Sequence, residues 1–519
     1  MRRSSFIAGT SILIGASLIT RILGFVYRVM LTRLIGAQGI GLFQMVFPFL
    51  SLLLTFVTLG MGVTVSKFVA EAIAINAKKR ISKIMFYAYA MTITSSLVLT
   101  CLAFFSSSWI ARHLFTDPRA IYPFVTLLPV MIIIAISTVL RGYFQGRQQM
   151  GSPAIASMIE TVIRIISVYF LTLFAVSLGL EYAAAGISLG MLLGEIGACL
   201  YMGFQYHRQR HQDDPLPTLT SQEEATPSLL KAMLAMAMPI TLSRILGSVI
   251  YALEPIIVTR SLLVAGFTTS AATKAYGEYS GMAIPLLVFP TVFTYSLAVS
   301  LIPDIAESIA TAKKQAIALR MEQVFKATAI IGLPASIFLL QLAYPLCEVI
   351  FHHGGVAPML AIMAPCGFFL YLQAPLAGIL QGMNKAGTVM RNGLIGSISK
   401  LGIIAWLTSN PSIGIQGIAW SVTISVIVTT FLHIGSLQKQ IGFSIRANDT
   451  IKILLATAAT SLSVTFLWQK FDHNAMTWQL IFTLSSASIL YITILWITGV
   501  INWRTLTRLP FFHRLARHR

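Results

Sequence analysis

Negative charge is scarce in this chain: it has only 17 Asp and Glu among 519 residues, and all charged types together reach 10%. A soluble protein covers its surface with about 25% charged residues, so a string of water-soluble domains is excluded. Cysteine is nearly absent. Cys101, Cys199, Cys347 and Cys366 are scattered through apolar stretches without a CxxC pair, which removes disulfide-framework and zinc readings and leaves small core residues. There is no GxxxxGK[ST] loop to cradle phosphates, so ATP hydrolysis by this chain is not expected. No long external loop carries the paired carboxylates of a glycosyltransferase or polymerase. His352-His353-Gly354-Gly355 offers too few ligands for a metal and reads as an exposed turn. The expectation is a protein that is not an enzyme and that uses neither cofactor nor metal.

What is present is apolar. Hydrophobic residues make up 56% and the mean hydropathy is +0.80. They recur in runs of the length that a helix needs to cross ~30 Å of hydrocarbon, roughly 20 residues. The runs fall near 9–33, 42–66, 84–108, 121–140, 155–178, 184–206, 232–257, 279–303, 326–346, 358–380, 392–409, 414–436, 450–468 and 478–501. Lipid offers no hydrogen bonds, and a helix satisfies its backbone internally; the alternation of a β-barrel does not appear. The fold class expected is an all-α polytopic membrane protein of about fourteen transmembrane helices. The first run carries Arg21 and Arg28 and lacks a small-residue cleavage site, so it reads as a retained helix.

Basic residues set the orientation. Most of the 37 Lys and Arg fall at the termini and in the even-numbered loops. Only Arg33, Arg112, Arg119, Arg260, Lys274 and Lys470 lie in or beside odd-numbered ones. The positive-inside rule then places both termini and the even loops in the cytoplasm. The net charge of +20 thus reports orientation, with attraction to anionic membrane lipids. No soluble basic domain exists to hold nucleic acid.

The chain also repeats itself. Leu140-Arg141-Gly142-Tyr143-Phe144-Gln145-Gly146 matches Leu376-Ala377-Gly378-Ile379-Leu380-Gln381-Gly382 at a shift of 236. The same shift pairs Gly41 with Gly277, Thr55 with Thr291, Ala70-Glu71 with Ala306-Glu307 and Gly151 with Gly387. Thr20-Arg21-Ile22-Leu23-Gly24 resembles Ser243-Arg244-Ile245-Leu246-Gly247 at a shift of 223. Two six-helix halves are expected, 1–206 and 231–437, joined by a polar cytoplasmic linker at 207–230 that holds Asp213-Asp214-Pro215 and Glu223-Glu224. Two extra helices and a basic tail follow at 438–519. An even number of helices per half gives parallel halves, which in transporters place the substrate at their interface. The duplicated glycines end helices 4 and 10, where Gly permits close helix approach or a C-cap.

A charge inside a span costs about 2.5–3.5 kcal/mol on insertion scales, so it faces a cavity or a partner. Arg21 and Arg28 are seven apart and share a face of helix 1; Arg244 occupies the repeat-equivalent place on helix 7. A cationic cavity for an anionic head group is one reading. The other is that Arg28 or Arg244 pairs with Glu254 or Glu278, the two acids that could instead serve proton or ion coupling. Glu160 and Arg164, four apart, read as an ion pair. Glu195 has no partner evident in the sequence.

The stretches Gly9-Thr10, Thr20-Arg21-Ile22-Leu23-Gly24-Phe25-Val26-Tyr27-Arg28, Leu140–Gly146 and Glu181-Tyr182-Ala183-Ala184-Ala185-Gly186 together resemble a known family. It is the sporulation group of polysaccharide-type transporters in the multidrug/oligosaccharidyl-lipid/polysaccharide (MOP) exporter superfamily. The resemblance runs over nearly the whole chain. It implies a flippase for undecaprenyl-pyrophosphate-linked sugars in the bacterial cytoplasmic membrane, with the peptidoglycan precursor lipid II for spore cortex as cargo and cell-wall synthesis enzymes as partners. The related MurJ flippases share Arg-x-Leu-Gly-Phe on helix 1, which carries their cavity arginine onto Arg21. They continue with an Arg-Asp pair where this chain has Tyr27-Arg28, and this chain has Gln44 and Glu278 where they have arginines on helices 2 and 8. The alternatives kept open are a drug or cation antiporter of the same superfamily and a non-transporting scaffold for wall synthesis.

Overall fold

The computed structural model describes residues 2–75, 77–212, 226–311, 314–442, 447–470 and 476–501, with side chains from residue 19 onward except at 78, 210–212, 226–228, 296, 299–300, 314, 316 and 447. Most of the expected linker and the basic tail lie outside these residues. Every regular element among the described residues is helical, as the apolar runs require. Ten helices are long and apolar enough to cross a membrane, or eleven if the pair Pro118–Leu127 and Val130–Gly146, bent by 41°, counts as one span. Fourteen spans are not reached by this measure, for local reasons. One of the ten runs from Ile19 to Ala74, 56 residues, far beyond the ~20 that hydrocarbon needs. It is broken at Gly36, where φ is +65°, and again at Leu59-Gly60, where φ is +45° and +63°. The runs expected at 279–303 and 392–409 are interrupted by π-wound turns at Glu278–Ala283 and Ile404–Thr408.

The chain divides into two compact units, Met1–Gly281 and Met282–Arg519. The first contains α1 (Arg2–Thr58), α2 (Met61–Ala74), α3 (Lys78–Phe105), α4 (Ser107–His113), α5 (Ile121–Leu127), α6 (Val130–Gly146), α7 (Gly151–Val176), α8 (Leu180–Gln212), α9 (Thr226–Val264) and α10 (Thr269–Gly277). One core cluster gathers Leu42, Val46 and Leu50 of α1 with Phe124 and Met131. Another joins Met61 and Val65 of α2 to Tyr143 and Phe144 of α6, Met202 of α8 and Met233 of α9. The outward faces are also apolar: Leu102, Phe104 and Phe105 on α3, and Phe170, Leu173 and Phe174 on α7, are all exposed. In water such contiguous faces would drive association; in a bilayer they meet acyl chains.

The second unit holds α11 (Ile284–Val288), α12 (Thr291–Ala310), α13 (Lys314–Gln341), α14 (Ala343–Phe351), α15 (Ala357–Met363), α16 (Gly367–Gly382), α17 (Ala386–Ile403), α18 (Gln416–Ile441), α19 (Ala447–Lys470) and α20 (Met476–Ile497). Leu301 and Ile305 of α12 pack with Leu372, Leu376 and Ile379 of α16. Lys326 on α13 donates to Asp449 on α19 at 2.7 Å, and Ala329 shares a cluster with Ile453, Tyr491 and Leu495. In this way the two helices outside the repeat are fastened to α13.

The duplicated glycines have a common geometry. A methyl group on Gly142 would stand 2.7 Å from the Gly62 carbonyl oxygen, and one on Gly146 would stand 2.6 Å from that of Ser66. In the second unit a methyl on Gly378 would lie 2.8 Å from Ala298 O, and one on Gly382 would lie 2.8 Å from Ile302 O. Gly62 and Ala298, like Ser66 and Ile302, are separated by the same 236 positions as the glycines. Each unit therefore seats one helix on another through two glycines a turn apart. This is the close approach that small residues give where lipid supplies no hydrophobic drive.

Candidate functional site

The first unit contains a cavity of about 230 Å³ lined by Gly24, Tyr27, Arg28, Leu31, Ile40, Phe43, Gln44, Phe47, Arg164, Met191 and Gly281. Helix α1 supplies two walls because Gly36 breaks it: the segment before the break brings Tyr27 and Arg28, and the segment after it brings Phe43, Gln44 and Phe47. With φ +65° and ψ −177° the residue lies in a region that is essentially glycine-only, at a cost of about 1–3 kcal/mol for a side-chain-bearing amino acid, which is why glycine holds the position. Arg28 is exposed toward the cavity, and its Nη1 donates to the Ser280 carbonyl at 3.1 Å. Ser280 lies in the π-wound turn that begins at Glu278, a rare element frequent at functional sites.

Arg164 of α7 is a second cation in the lining. Its Nη1 donates to Glu160 Oε1 at 2.8 Å, and its guanidinium lies 5.6 Å from the centre of the Tyr27 ring. Behind it, Arg141 Nη2 donates to Glu160 Oε2 at 3.1 Å and stands 3.5 Å from Glu195 Oε1. Glu195 thus gains the partner that its own helix does not reveal, brought from α6.

The sequence-derived candidates divide. Arg28 lines the cavity, together with Gln44 and Tyr27. Arg21 is exposed on the same helix two turns earlier, and Arg244 is exposed on α9; neither is among the cavity-lining residues. Glu254 is buried and accepts from the Tyr279 hydroxyl at 2.7 Å. Glu278 is buried, with Lys274 Nζ 3.8 Å from its carboxylate. Sequence spacing pairs Arg164 with Glu160 but does not reveal that it also lines the cavity. The available signal was its position within a span, where a charge needs a reason. No group of three or more His, Cys, Asp or Glu among the described residues could hold a metal ion.

Where the two sequence copies meet within this unit, the contact is reciprocal. A methyl on Gly41 would run into the Thr273 carbonyl, and one on Gly277 would run into the Ala37 carbonyl while standing 2.8 Å from Gly41 N. Ala37 and Thr273, like Gly41 and Gly277, are related by the 236-residue shift. A surface that meets its own copy in this way has the logic of a two-fold interface. Polar groups flank the crossing. Gln38 Nε2 donates to Ser270 Oγ at 2.8 Å, and Thr273 Oγ1 donates to Asp117 Oδ2 at 3.1 Å. Asp117 is buried and also takes two hydrogen bonds from the Arg119 guanidinium, at 2.8 and 3.1 Å. Arg260 donates to the His113 carbonyl.

Solved structures share this fold. The lipid II flippase MurJ in its inward closed conformation superposes with a TM-score of 0.67 at 17% identity, over 96% of this chain and 99% of that one. An inward-facing multidrug resistance MATE family transporter of the MOP superfamily gives 0.62 at 14% identity, over 81% and 96%. The class is therefore a multi-pass, all-helical membrane protein with the MurJ and MATE fold. Residues 6–309 match the family described as polysaccharide biosynthesis protein. The stage V sporulation protein B of Bacillus subtilis (strain 168) is 37% identical over 449 residues, 86% of each chain. This chain belongs to that polysaccharide biosynthesis protein family.

Proposed function

We propose that this protein is a flippase that carries a lipid-linked saccharide, joined to undecaprenyl through pyrophosphate, to the outer leaflet of the bacterial cytoplasmic membrane by alternating access. The favoured cargo is lipid II for spore cortex, in keeping with the name of the sporulation relative and that of the MurJ fold neighbour. Both termini are cytoplasmic in this reading, from the distribution of Lys and Arg.

The observation that carries the proposal is the pair Arg28 and Arg164, from α1 and α7, in the lining of one cavity that contains no carboxylate among the described residues. Guanidinium forks bind phosphate oxygens in pairs, with charge-assisted bonds about twice as strong as neutral ones. The volume lies below the ~300–1,000 Å³ of pockets that enclose drug-sized ligands, so in this conformation it suits the pyrophosphate alone, with the saccharide and the prenyl chain outside it. A cation antiporter would need an acid in that lining. Arg21 and Arg244 remain candidates for the path into the cavity, and Glu254 and Glu278 for coupling or ion pairing.

The test is translocation of labelled lipid II by purified protein in liposomes, with efflux of a cationic dye measured in parallel. Arg28→Ala should lower flipping at least about tenfold, the equivalent of 1.4 kcal/mol, at unchanged membrane abundance; Arg21→Ala should do the same if it guides the head group inward. Dye efflux without lipid movement would support the antiporter, and neither activity would support the scaffold.

A further inference from the structure

A ligand that takes the whole Arg164 fork competes with Glu160 for it. Arg164 Nη1 is committed to Glu160 Oε1 at 2.8 Å, and Glu160 is only 17% exposed. A ligand that pulls Arg164 away would take one counter-charge from a carboxylate in an apolar interior, and breaking a buried pair from one side is strongly unfavourable. Three observations bear on this. Glu160 is held through both of its oxygens, by Arg164 on Oε1 and by Arg141 on Oε2. The same Nη2 of Arg141 is shared with Glu195, whose side chain is 9% exposed, at 3.5 Å. The Nε–H groups of Arg141 and Arg164 are buried with no acceptor among the described residues, so both guanidiniums keep unused donor capacity, which in an interior calls for a reason.

We propose that Arg141 is a positioning residue that releases Arg164 to an anionic ligand: when a pyrophosphate in the cavity takes the Arg164 fork, Arg141 keeps its existing bond to Glu160 Oε2 at 3.1 Å while staying beside Glu195, and neither carboxylate is left uncompensated. This rests on the reading of the cavity as the head-group site. The network of two arginines and two glutamates is neutral at rest and gains the ligand's charge only while Arg164 is engaged. Departure of the ligand returns Arg164 to Glu160. The carboxylate competes with the phosphates for Arg164, which weakens binding enough for release on the far side.

The test uses the full chain purified in detergent and the binding of farnesyl pyrophosphate. Glu160→Gln removes the competitor, and affinity should rise about threefold or more, whereas a purely structural ion pair would give weaker binding. Arg141→Gln with Glu195→Gln keeps the network neutral but leaves Glu160 dependent on Arg164 alone; affinity should fall about tenfold. Adding Glu160→Gln to that double variant should bring affinity back to within about threefold of the parent protein. Arg28→Gln and Arg164→Gln should each weaken binding. If those two weaken binding while the Arg141/Glu195 double variant matches the parent, the release role of Arg141 is wrong and the cavity reading stands. If neither Arg28→Gln nor Arg164→Gln has an effect, the cavity is not the site and the inference falls with it. Should the double variant fail to accumulate, weaker binding by Glu160→Gln alone overturns the proposal.

Discussion

Gly277→Ala is the sharpest perturbation of the crossing between α1 and α10. The added methyl would overlap the Ala37 carbonyl oxygen and stand 2.8 Å from Gly41 N, where ordinary contact begins at 3.4 Å. Both neighbours are backbone, so no side chain can rotate away, and the helices must part by at least ~0.6 Å at Gly41 and by more at Ala37. Overpacking of this kind costs about 1–3 kcal/mol, which is roughly a 5–150-fold shift away from the conformation described. Gln38 and Ser270 flank the crossing with side chains hydrogen-bonded at 2.8 Å. Replacing both by cysteine, after removing the four native cysteines, gives a pair that a short bifunctional reagent should bridge efficiently. Adding Gly277→Ala should lower the bridged fraction at least about fivefold. Gly247→Ala is the control, because no described residue lies within 4 Å of a methyl there. An unchanged bridged fraction in Gly277→Ala, with normal protein in the membrane, would refute the argument that this crossing depends on glycine.

Gly142→Ala and Gly378→Ala should each destabilise the purified protein by about 1–3 kcal/mol, because each methyl meets a carbonyl oxygen at 2.7 or 2.8 Å. Gly151→Ala and Gly387→Ala, which are also related by the repeat but have open space around them, should leave thermal unfolding in detergent unchanged or slightly raised. For orientation, a reporter fused after Arg519 or inserted near Asp213 should be cytoplasmic and one near His353 external; an external signal at Asp213 would break the assignment of sides.

The membrane class, the helical composition and the repeat were legible in the sequence, because each rests on local properties. Apolar run length answers to bilayer thickness, and a helix closes its own hydrogen bonds without help from the rest of the chain. Arg28 could be singled out for the same reason: a charge in a span is conspicuous on its own. Boundaries were less legible. The break at Gly36 and the π-wound turns at Glu278 and Ile404 merge or interrupt runs that hydropathy alone divides evenly. Partnerships between helices were not legible. Arg28 reaches a carbonyl 252 positions away, and Arg141 joins Glu160 and Glu195 from a separate helix. A local rule gave Arg164 to Glu160 four residues earlier, correctly, yet it could not show that the same guanidinium faces a cavity. Sequence spacing decided which residues share a helix face. Which faces meet was settled by the tertiary structure, where glycines let backbones touch and buried charges had to find one another across helices.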